Sequence, residues 1–509
     1  MSNYVIRPAA LSQLDFGAPA AERDIERGLE DYFVESEAYR RVSSGEKTII
    51  LGNRGSGKSA IFQVLAKRAK AAGNHVISLA PEDYSYELLS KTMAAEGSGS
   101  WAKLGAYAVA WKYLIYVLVM KEVSRKGMRL RKGAASKIYK YVRDNHSTAD
   151  MSKLSALISY LKRLEGIKIG KYEAGVKTRE LEKLYKLEEI HHLLPALQEV
   201  LAKEKVYVLV DELDRGWDSS EDAQSFVAGL FQACVSINTL HPNLRVYVSL
   251  RQELYDNIPA LYEDAQKYRD LLETIDWTEE ALLSLITKRM RHSLDSLSRI
   301  REDDECWGAV FSSVLGYRRN RSFNYMVDRT LYRPREIIQF CTQAVEAAQD
   351  GSTVPPIDYP VISTAENVYS GERAKDIAAE YRFQYPGLLE VFEAFRGKIY
   401  TFDRDELELL CLELIAGEIR VDGAEGWLER CDPDSLIEIL WHVGFLRAQV
   451  VGGIRGRRRS GSQYVGPYQV QFLNVAAATR FQVHPMFRAS LGMKEPKGNR
   501  SNRDDASPA

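Results

Sequence analysis

The sequence has no excess of either charge, and it has few cysteines. Lys and Arg number 69 and Asp and Glu 70, a formal net charge of -1. Overall charge therefore predicts neither a nucleic-acid partner nor a membrane surface. The five cysteines are scattered, with no Cys-x-x-Cys pair and no Cys/His ligand spacing. This pattern disfavours a disulfide framework and a zinc site, and we expect a cytoplasmic protein.

Long hydrophobic runs, repeats and targeting signals are also missing. The most apolar segment, residues 104–120, carries Lys112 at its centre. A bilayer-spanning helix needs roughly 20 apolar residues, and a central lysine costs it about 3 kcal/mol. A buried or interfacial helix is therefore favoured over a membrane span. The first 11 residues contain Arg7 and no apolar stretch, so we expect no signal peptide. No fixed period indicates a solenoid or propeller.

What is present suffices for several domains. Of the 509 residues, 45% are hydrophobic and 27% charged, which excludes global disorder. Short β-rich runs alternate with helical segments, and this alternation predicts an α/β fold with a parallel sheet. The predicted domains are an α/β core at 1–275 with a large helical insertion at about 82–204, a helical lid at 276–352, a winged-helix-like domain at 365–492, and a disordered tail at 493–509.

The pattern also predicts individual elements. Residues 18–42 have helical periodicity and are predicted as one helix. The predicted strands of the core are 47–51, 76–79, 206–210, 244–250 and 271–275. The C-terminal domain is predicted as helices at 403–416 and 433–443, a hairpin with strands at 445–451 and 469–475, and a closing helix at 481–493.

A glycine-rich loop follows the first strand and opens a helix. It has the pattern GxxxxGK[ST] and consists of Gly52, Asn53, Arg54, Gly55, Ser56, Gly57, Lys58 and Ser59. Glycines let successive backbone N–H groups point at phosphate oxygens, and the helix adds its positive N-terminal end. Lys58 is expected to contact the β- and γ-phosphates of ATP, and the Ser59 hydroxyl to ligate Mg²⁺. The alternative is a glycine-rich turn with an incidental lysine.

A second, distant element completes this site. The apolar strand 206–210 runs into Asp211 and Glu212. Asp211 is predicted to hold Mg²⁺, and Glu212 to orient and polarise the attacking water as the catalytic base. The alternative is that Glu212 and Asp214 cap the next helix or face solvent.

Three arginines are candidates for sensing the γ-phosphate. Arg251 follows the strand 244–250, whose end should lie beside the P-loop strand; Ser249 is a further candidate there. Arg251 could instead pair with Glu253 or Asp256. Arg333 and Arg335 flank Pro334 at the start of a lid helix, from which an arginine can distinguish ATP from ADP.

These motifs, in this order, resemble the AAA+/STAND branch of P-loop ATPases. The order is similar to that of origin-recognition-type initiators and bacterial KAP-type NTPases, and residues 210–215 resemble the acidic strand end of KAP-like proteins. The segments 14–17 and 21–24 resemble an uncharacterised bacterial ATPase family with many defence-associated members. The resemblance covers roughly residues 14–350 and implies ATP hydrolysis, with antiviral defence as one role.

The chain also departs from these families. The interval from Ser59 to Asp211 spans 152 positions (211 minus 59), which implies the inserted helical subdomain. KAP-type proteins often carry membrane helices there, and Lys112 argues against one. No arginine finger acting across a subunit boundary is evident, so a ring-shaped oligomer is in doubt, although some oligomer is possible.

Two basic segments are candidates for nucleic-acid contact. One is the region Lys121–Arg143 of the insertion, in which Tyr139 and Tyr141 are interleaved; the other is Arg455–Arg459, at the tip of the predicted wing. Such clusters can contact phosphates. A basic helix face is more often solvated or docked on an acidic partner, and winged helices also bind proteins.

Three functions follow from these observations. The favoured one is a Mg-ATP-dependent switch that closes its lid and controls a protein partner, and the alternative is a DNA- or RNA-binding motor or loader. A non-hydrolysing scaffold is disfavoured by Glu212.

Overall fold

The computed structural model describes residues 4–80, 100–125, 132–145, 190–214, 217, 219–263, 265–316, 320–450, 463–470 and 473–495. The chain divides into two compact units. The parallel-sheet unit comprises residues 20–30 and 35–275, and the C-terminal unit comprises residues 1–19, 31–34 and 276–509. The predicted lid segment 276–352 and the segment 365–492 thus fall in the same unit.

A five-stranded, all-parallel sheet forms the centre of the described part of the first unit. Its strands are β1 (Ile49–Leu51), β2 (His75–Leu79), β3 (Val206–Val210), β4 (Leu244–Leu250) and β5 (Leu272–Thr274). Their order is β2-β3-β4-β1-β5, so β4 separates β1 from β3. β1 and β3 are buried throughout, as expected for strands covered on both faces. The predicted α/β fold with a parallel sheet is confirmed.

Helices precede and connect these strands along the chain. Up to residue 275 they are α1 (Ala21–Asp24), α2 (Leu29–Tyr32), α3 (Glu37–Ser44), α4 (Lys58–Ala71), α5 (Ser100–Ser124), α6 (Ala134–Asn145), α7 (Leu194–Leu201), α8 (Glu221–Asn238), α9 (Gln252–Asp256), α10 (Pro259–Glu263) and α11 (Ala265–Tyr268).

The prediction of a single helix at 18–42 is wrong. A 3-10 turn, Ile25–Arg27, follows α1 and ends at Gly28, whose φ of 97° is left-handed. Helix α3 then begins separately, because Ser36 caps it: its hydroxyl accepts a hydrogen bond from the Tyr39 N–H at 3.1 Å. The segment has helical periodicity, but Gly28 and Ser36 divide it into separate short helices.

The apolar segment around Lys112 is a core helix. Trp111 and Tyr107 of α5 are almost fully buried, and the indole N–H of Trp111 donates to the Phe226 carbonyl of α8 at 3.1 Å. Packing against α8 explains why this helix is so apolar. Among the described residues, none of the helices combines the length and apolarity needed to cross a bilayer.

The C-terminal unit is mostly helical and carries a second sheet. Its helices are α12 (Glu279–Ser293), α13 (Asp295–Ser298), α14 (Asp303–Gly308), α15 (Ser322–Val327), α16 (Pro334–Asp350), α17 (Tyr359–Glu380), α18 (Leu388–Glu393), α19 (Arg404–Ile415), α20 (Glu425–Leu428), α21 (Pro433–His442) and α22 (Pro485–Arg488). Its strands are β6 (Thr401–Asp403), β7 (Leu446–Val450), β8 (Gln463–Val465) and β9 (Arg480–Val483).

This second sheet is antiparallel, in the order β6-β9-β7-β8. The strand returning after β7 is β8, so the prediction that the return strand runs from 469 to 475 is wrong at both ends. Its central residues 471–472 lie outside the described residues. The closing helix predicted at 481–493 is wrong at its start, because Phe481 and Val483 alternate with outward residues in β9. The short helix α22 follows β9, and His484 before it is fully buried.

Candidate functional site

The loop between β1 and α4 has a backbone that only glycine fits at several positions. Gly55 and Gly57 have left-handed φ angles of 82° and 101°. At Gly52 a Cβ atom would lie 2.5 Å from Oγ of Ser56, because the loop curls back over its own start. Ser59 is half-buried in the first turn of α4, and Arg54 is exposed at the tip.

Lys58 folds back over this loop. Its Nζ atom donates to the carbonyl of Gly52 at 2.6 Å and to that of Asn53 at 3.1 Å. Burial lowers the pKa of Lys58, and the carboxylates of Glu253, Asp211 and Asp214 oppose this by raising it. The ammonium group is therefore fixed at the carboxyl end of β1, within electrostatic range of acidic groups.

Asp211 is fixed from both sides at the end of β3. Its backbone N–H donates to the Leu79 carbonyl at 2.9 Å. Its Oδ1 accepts from the Glu212 N–H at 2.9 Å and from the Ser249 hydroxyl. Glu212 has a φ of 58°, left-handed and unusual for a residue with a side chain. Such a conformation costs on the order of 1–3 kcal/mol and concentrates at functional sites.

Arg251 lies between two carboxylates. Its Nη2 makes a close ion pair with Asp214, and its Nη1 lies 3.6 Å from Oε1 of Glu253. Glu253 is buried, with 3% of its side chain exposed, and its charge acts on Lys58 more than any other carboxylate does. The sequence had suggested Glu253 only as a surface partner of Arg251. No local sequence pattern signals this burial.

Arg333 and Arg335 belong to the C-terminal unit. Arg333 is buried, and its Nη1 donates to Glu380 at 2.8 Å. Its Nε lies 3.7 Å from Glu336. Arg335 is half-buried and donates to the Pro19 carbonyl at 3.3 Å. Within this unit the contacts of Arg333 hold α16 against α17, and phosphate sensing by either arginine stays a prediction.

The basic segments are described only in part. Arg125 lies 3.0 Å from Glu122, and Arg143 2.8 Å from Asp144, so neighbouring acids neutralise part of this surface. The arginines at 126–131 of this segment and the whole of Arg455–Arg459 lie outside the described residues.

The loop and the acidic strand end fit magnesium and a nucleotide. The close turn at Gly52 and the left-handed glycines form a curled loop at the N-terminus of α4, where backbone N–H groups and the helix dipole favour an anion. Ser59 and Asp211 offer hydroxyl and carboxylate oxygens, the ligands that Mg²⁺ prefers together with phosphate and water. Among the described residues, no cluster of three or more His, Cys, Asp or Glu could hold a metal without such extra ligands.

A parallel sheet, a glycine loop that opens a helix, and an acidic end on another strand of the same sheet define a P-loop NTPase fold. Residues 280–378 match the family described as the FunZ-associated C-terminal helical domain. Over 498 residues the chain is 22% identical to the "Putative transposon gamma-delta 80.3 kDa protein" of Escherichia coli (strain K12). That match covers 94% of this chain and 67% of the relative.

Two solved structures are also similar. One is the ORC2 protein of Aeropyrum pernix in its ADPNP–ADP complexes, with a TM-score of 0.34, 11% identity, and coverage of 96% of this chain and 93% of that one. The other is the bacterial conjugative coupling protein TrwBΔN70, with a TM-score of 0.17, 12% identity, and coverage of 46% and 68%.

Proposed function

We propose that the protein binds Mg-ATP at residues 52–59 and hydrolyses it. The observation that carries this proposal is the position of Lys58, held by the Gly52 and Asn53 carbonyls at the start of α4. The same ammonium group is within electrostatic range of Asp211. A fixed cation at a helix N-terminus, opposite a carboxylate, suits a ligand that carries both phosphate groups and a metal ion, as Mg-ATP does.

The residues then have separate roles. The loop N–H groups and Lys58 would hold the phosphates, and Ser59 and Asp211 would hold magnesium, which neutralises phosphate charge when bound. Ser249 orients Asp211 through its hydroxyl. Glu212 would position a water molecule and accept its proton, and the strained backbone at this residue supports a functional role.

We further propose that hydrolysis drives a switch that controls a protein partner. The helices of the predicted winged-helix-like domain support a protein partner over DNA. Asp405 and Glu406 of α19 are exposed, as are Asp434 and Glu438 of α21. Acidic side chains repel phosphates, so these helix faces do not suit a nucleic-acid backbone. The resemblance to defence-associated ATPases makes antiviral defence the role to test.

A DNA- or RNA-binding ATPase is the second candidate. One observation favours it: the similarity, along 94% of this chain, to a protein described as a transposon product. In that function the basic region Lys121–Arg143 and the segment Arg455–Arg459 would contact the backbone.

Nucleotide binding by titration calorimetry tests the proposal. Wild type should bind Mg-ATP, and Lys58→Ala should bind at least about tenfold more weakly, because a charge-assisted phosphate contact is lost. Lys67→Ala is a matched control on the same helix, since Lys67 is half-exposed and pairs with Glu30; it should bind as wild type does. Equal binding by the Lys58 and Lys67 variants would contradict the proposed site.

A further inference from the structure

Arg251 forms ion pairs with two carboxylates, and the hydrolysis proposed above assigns no role to this pairing. Arg251 is the N-cap residue of α9, directly after β4. Its guanidinium bridges Asp214, in the turn after β3, and Glu253, in α9 itself. These two ion pairs therefore link the carboxyl ends of β3 and β4, at the edge of the sheet where Lys58 lies.

The two carboxylates differ in their freedom to move. Asp214 has 24% of its side chain exposed and Glu253 only 3%. A buried carboxylate cannot leave its cation without a large desolvation cost, whereas a partly exposed one can be taken up by water. Glu253 is therefore the fixed partner of Arg251, and Asp214 the partner that can be exchanged.

The local charge favours such an exchange. Among the described residues, the groups that act most on Lys58 are Glu253, Asp211, Asp214 and Arg251. With Lys58 itself they carry two positive and three negative charges, a sum of -1. A γ-phosphate adds negative charge, and it forms bidentate, charge-assisted bonds with arginine. To make such bonds alongside Mg²⁺, Arg251 must give up Asp214 as the partner of its Nη2 atom.

We propose that Asp214 and Glu253 are positioning residues that determine the preference for ATP over ADP. They hold Arg251 until a γ-phosphate replaces Asp214 as its partner. This inference rests on the proposed nucleotide site. Because Asp214 is two residues after Glu212, the exchange also frees the turn that carries the proposed base. Nucleotide state is thereby coupled to the geometry of Glu212.

Binding of ADP and of a non-hydrolysable ATP analogue, each with Mg²⁺, tests this exchange. Asp214→Asn should bind the analogue about fivefold more tightly, with the Kd for ADP changed less than about twofold, since one charged competitor is removed. Arg251→Gln should lower the preference for the analogue about tenfold. Asp304→Asn, which removes the exposed partner of Arg321, is the matched control and should leave both affinities unchanged.

The double variant separates a specific exchange from general electrostatics. With Arg251→Gln already present, Asp214→Asn should alter the preference less than about twofold, because coupled residues are not additive. Independent, additive effects in folded variants would overturn the inference while leaving the nucleotide site intact. Asp214→Ser provides a second test if thermal unfolding shows that the asparagine variant is misfolded. Failure of wild type to bind the analogue would overturn both proposals.

Discussion

Ser249, near the end of β4, donates its hydroxyl hydrogen bond to Oδ1 of Asp211, at the end of β3. Ser249 is buried, with 2% exposed. The two strands are neighbours, so the contact fixes the carboxylate relative to the sheet. The proposed magnesium ligand is thus oriented by a residue from another strand.

Ser249→Ala should raise the Mg²⁺ concentration needed for ATP hydrolysis and lower the maximal rate about tenfold. Hydrogen bonds to charged groups contribute about 1.5–3 kcal/mol, and the freed carboxylate would lose its orientation. Hydrolysis measured against Mg²⁺ concentration checks this prediction. Ser249→Thr keeps the hydroxyl and should retain more activity, whereas unaltered Mg²⁺ dependence in Ser249→Ala would refute the role.

Gly52→Ala should weaken ATP binding at least about tenfold with little loss of stability. The new Cβ atom would lie 2.5 Å from Ser56 Oγ and 3.3 Å from Ser56 Cβ, so the Ser56 side chain must turn away or the loop must change shape. Gly426→Ala is a suitable control, because a Cβ atom there meets nothing within 4 Å. Affinity titrations measure the loss of ATP binding, and thermal unfolding measures any loss of stability. Wild-type affinity in Gly52→Ala would show that the loop does not bind phosphate.

Arg333→Ala should lower the free energy of unfolding by about 3–5 kcal/mol, because Glu380 and Glu336 would remain buried without their cation. Arg321→Ala removes an exposed pair with Asp304 and should cost only about 0–1 kcal/mol. Denaturant unfolding of both variants provides the comparison. A stable Arg333→Ala protein with altered ATP preference would instead support the phosphate-sensing prediction.

Alkylation of the native protein at pH 8 should modify Cys431 first. Burial raises the pKa of the Cys306 thiol to about 11 and that of Cys411 to about 12. The reactive thiolate is the form that burial disfavours, so these two thiols should react only as the pH approaches those values or after unfolding. Mass spectrometry after timed iodoacetamide treatment measures this order. Rapid labelling of Cys306 at pH 8 would contradict its burial.

The strand, loop and helix that carry the proposed nucleotide site could be predicted because their signals are local. A strand, a glycine loop and a helix follow one another within residues 49–71, and β3 is an uninterrupted apolar run ending at Asp211. The bounds of β3 and β4 agree with those predicted. A short-range sequence pattern is therefore enough to predict an element whose residues are neighbours both in sequence and in space.

Glu253 and the hairpin partner could not be predicted in the same way. Glu253 lies in the short helix α9 directly after β4, and its burial depends on tertiary packing, which no local pattern encodes. The strand β8 is only three residues long, too short for a periodicity signal. In β9, buried and outward residues alternate over only four residues. The helical pattern of the residues that follow therefore dominates the prediction for the whole segment.

Glu212 is the proposed catalytic base, so the proposed hydrolysis depends on it most directly. The most direct test is ATP hydrolysis by wild type and Glu212→Gln, with ATP binding measured on the same samples and with and without double-stranded DNA. Glu221→Gln, an exposed glutamate at the start of α8, is the control. We predict that Glu212→Gln binds ATP but hydrolyses it at least about 100-fold more slowly, as expected for loss of a general base. DNA should leave the wild-type rate unchanged. Hydrolysis by Glu212→Gln at the wild-type rate would contradict the proposed ATPase site, and strong stimulation by DNA would contradict the proposed switch.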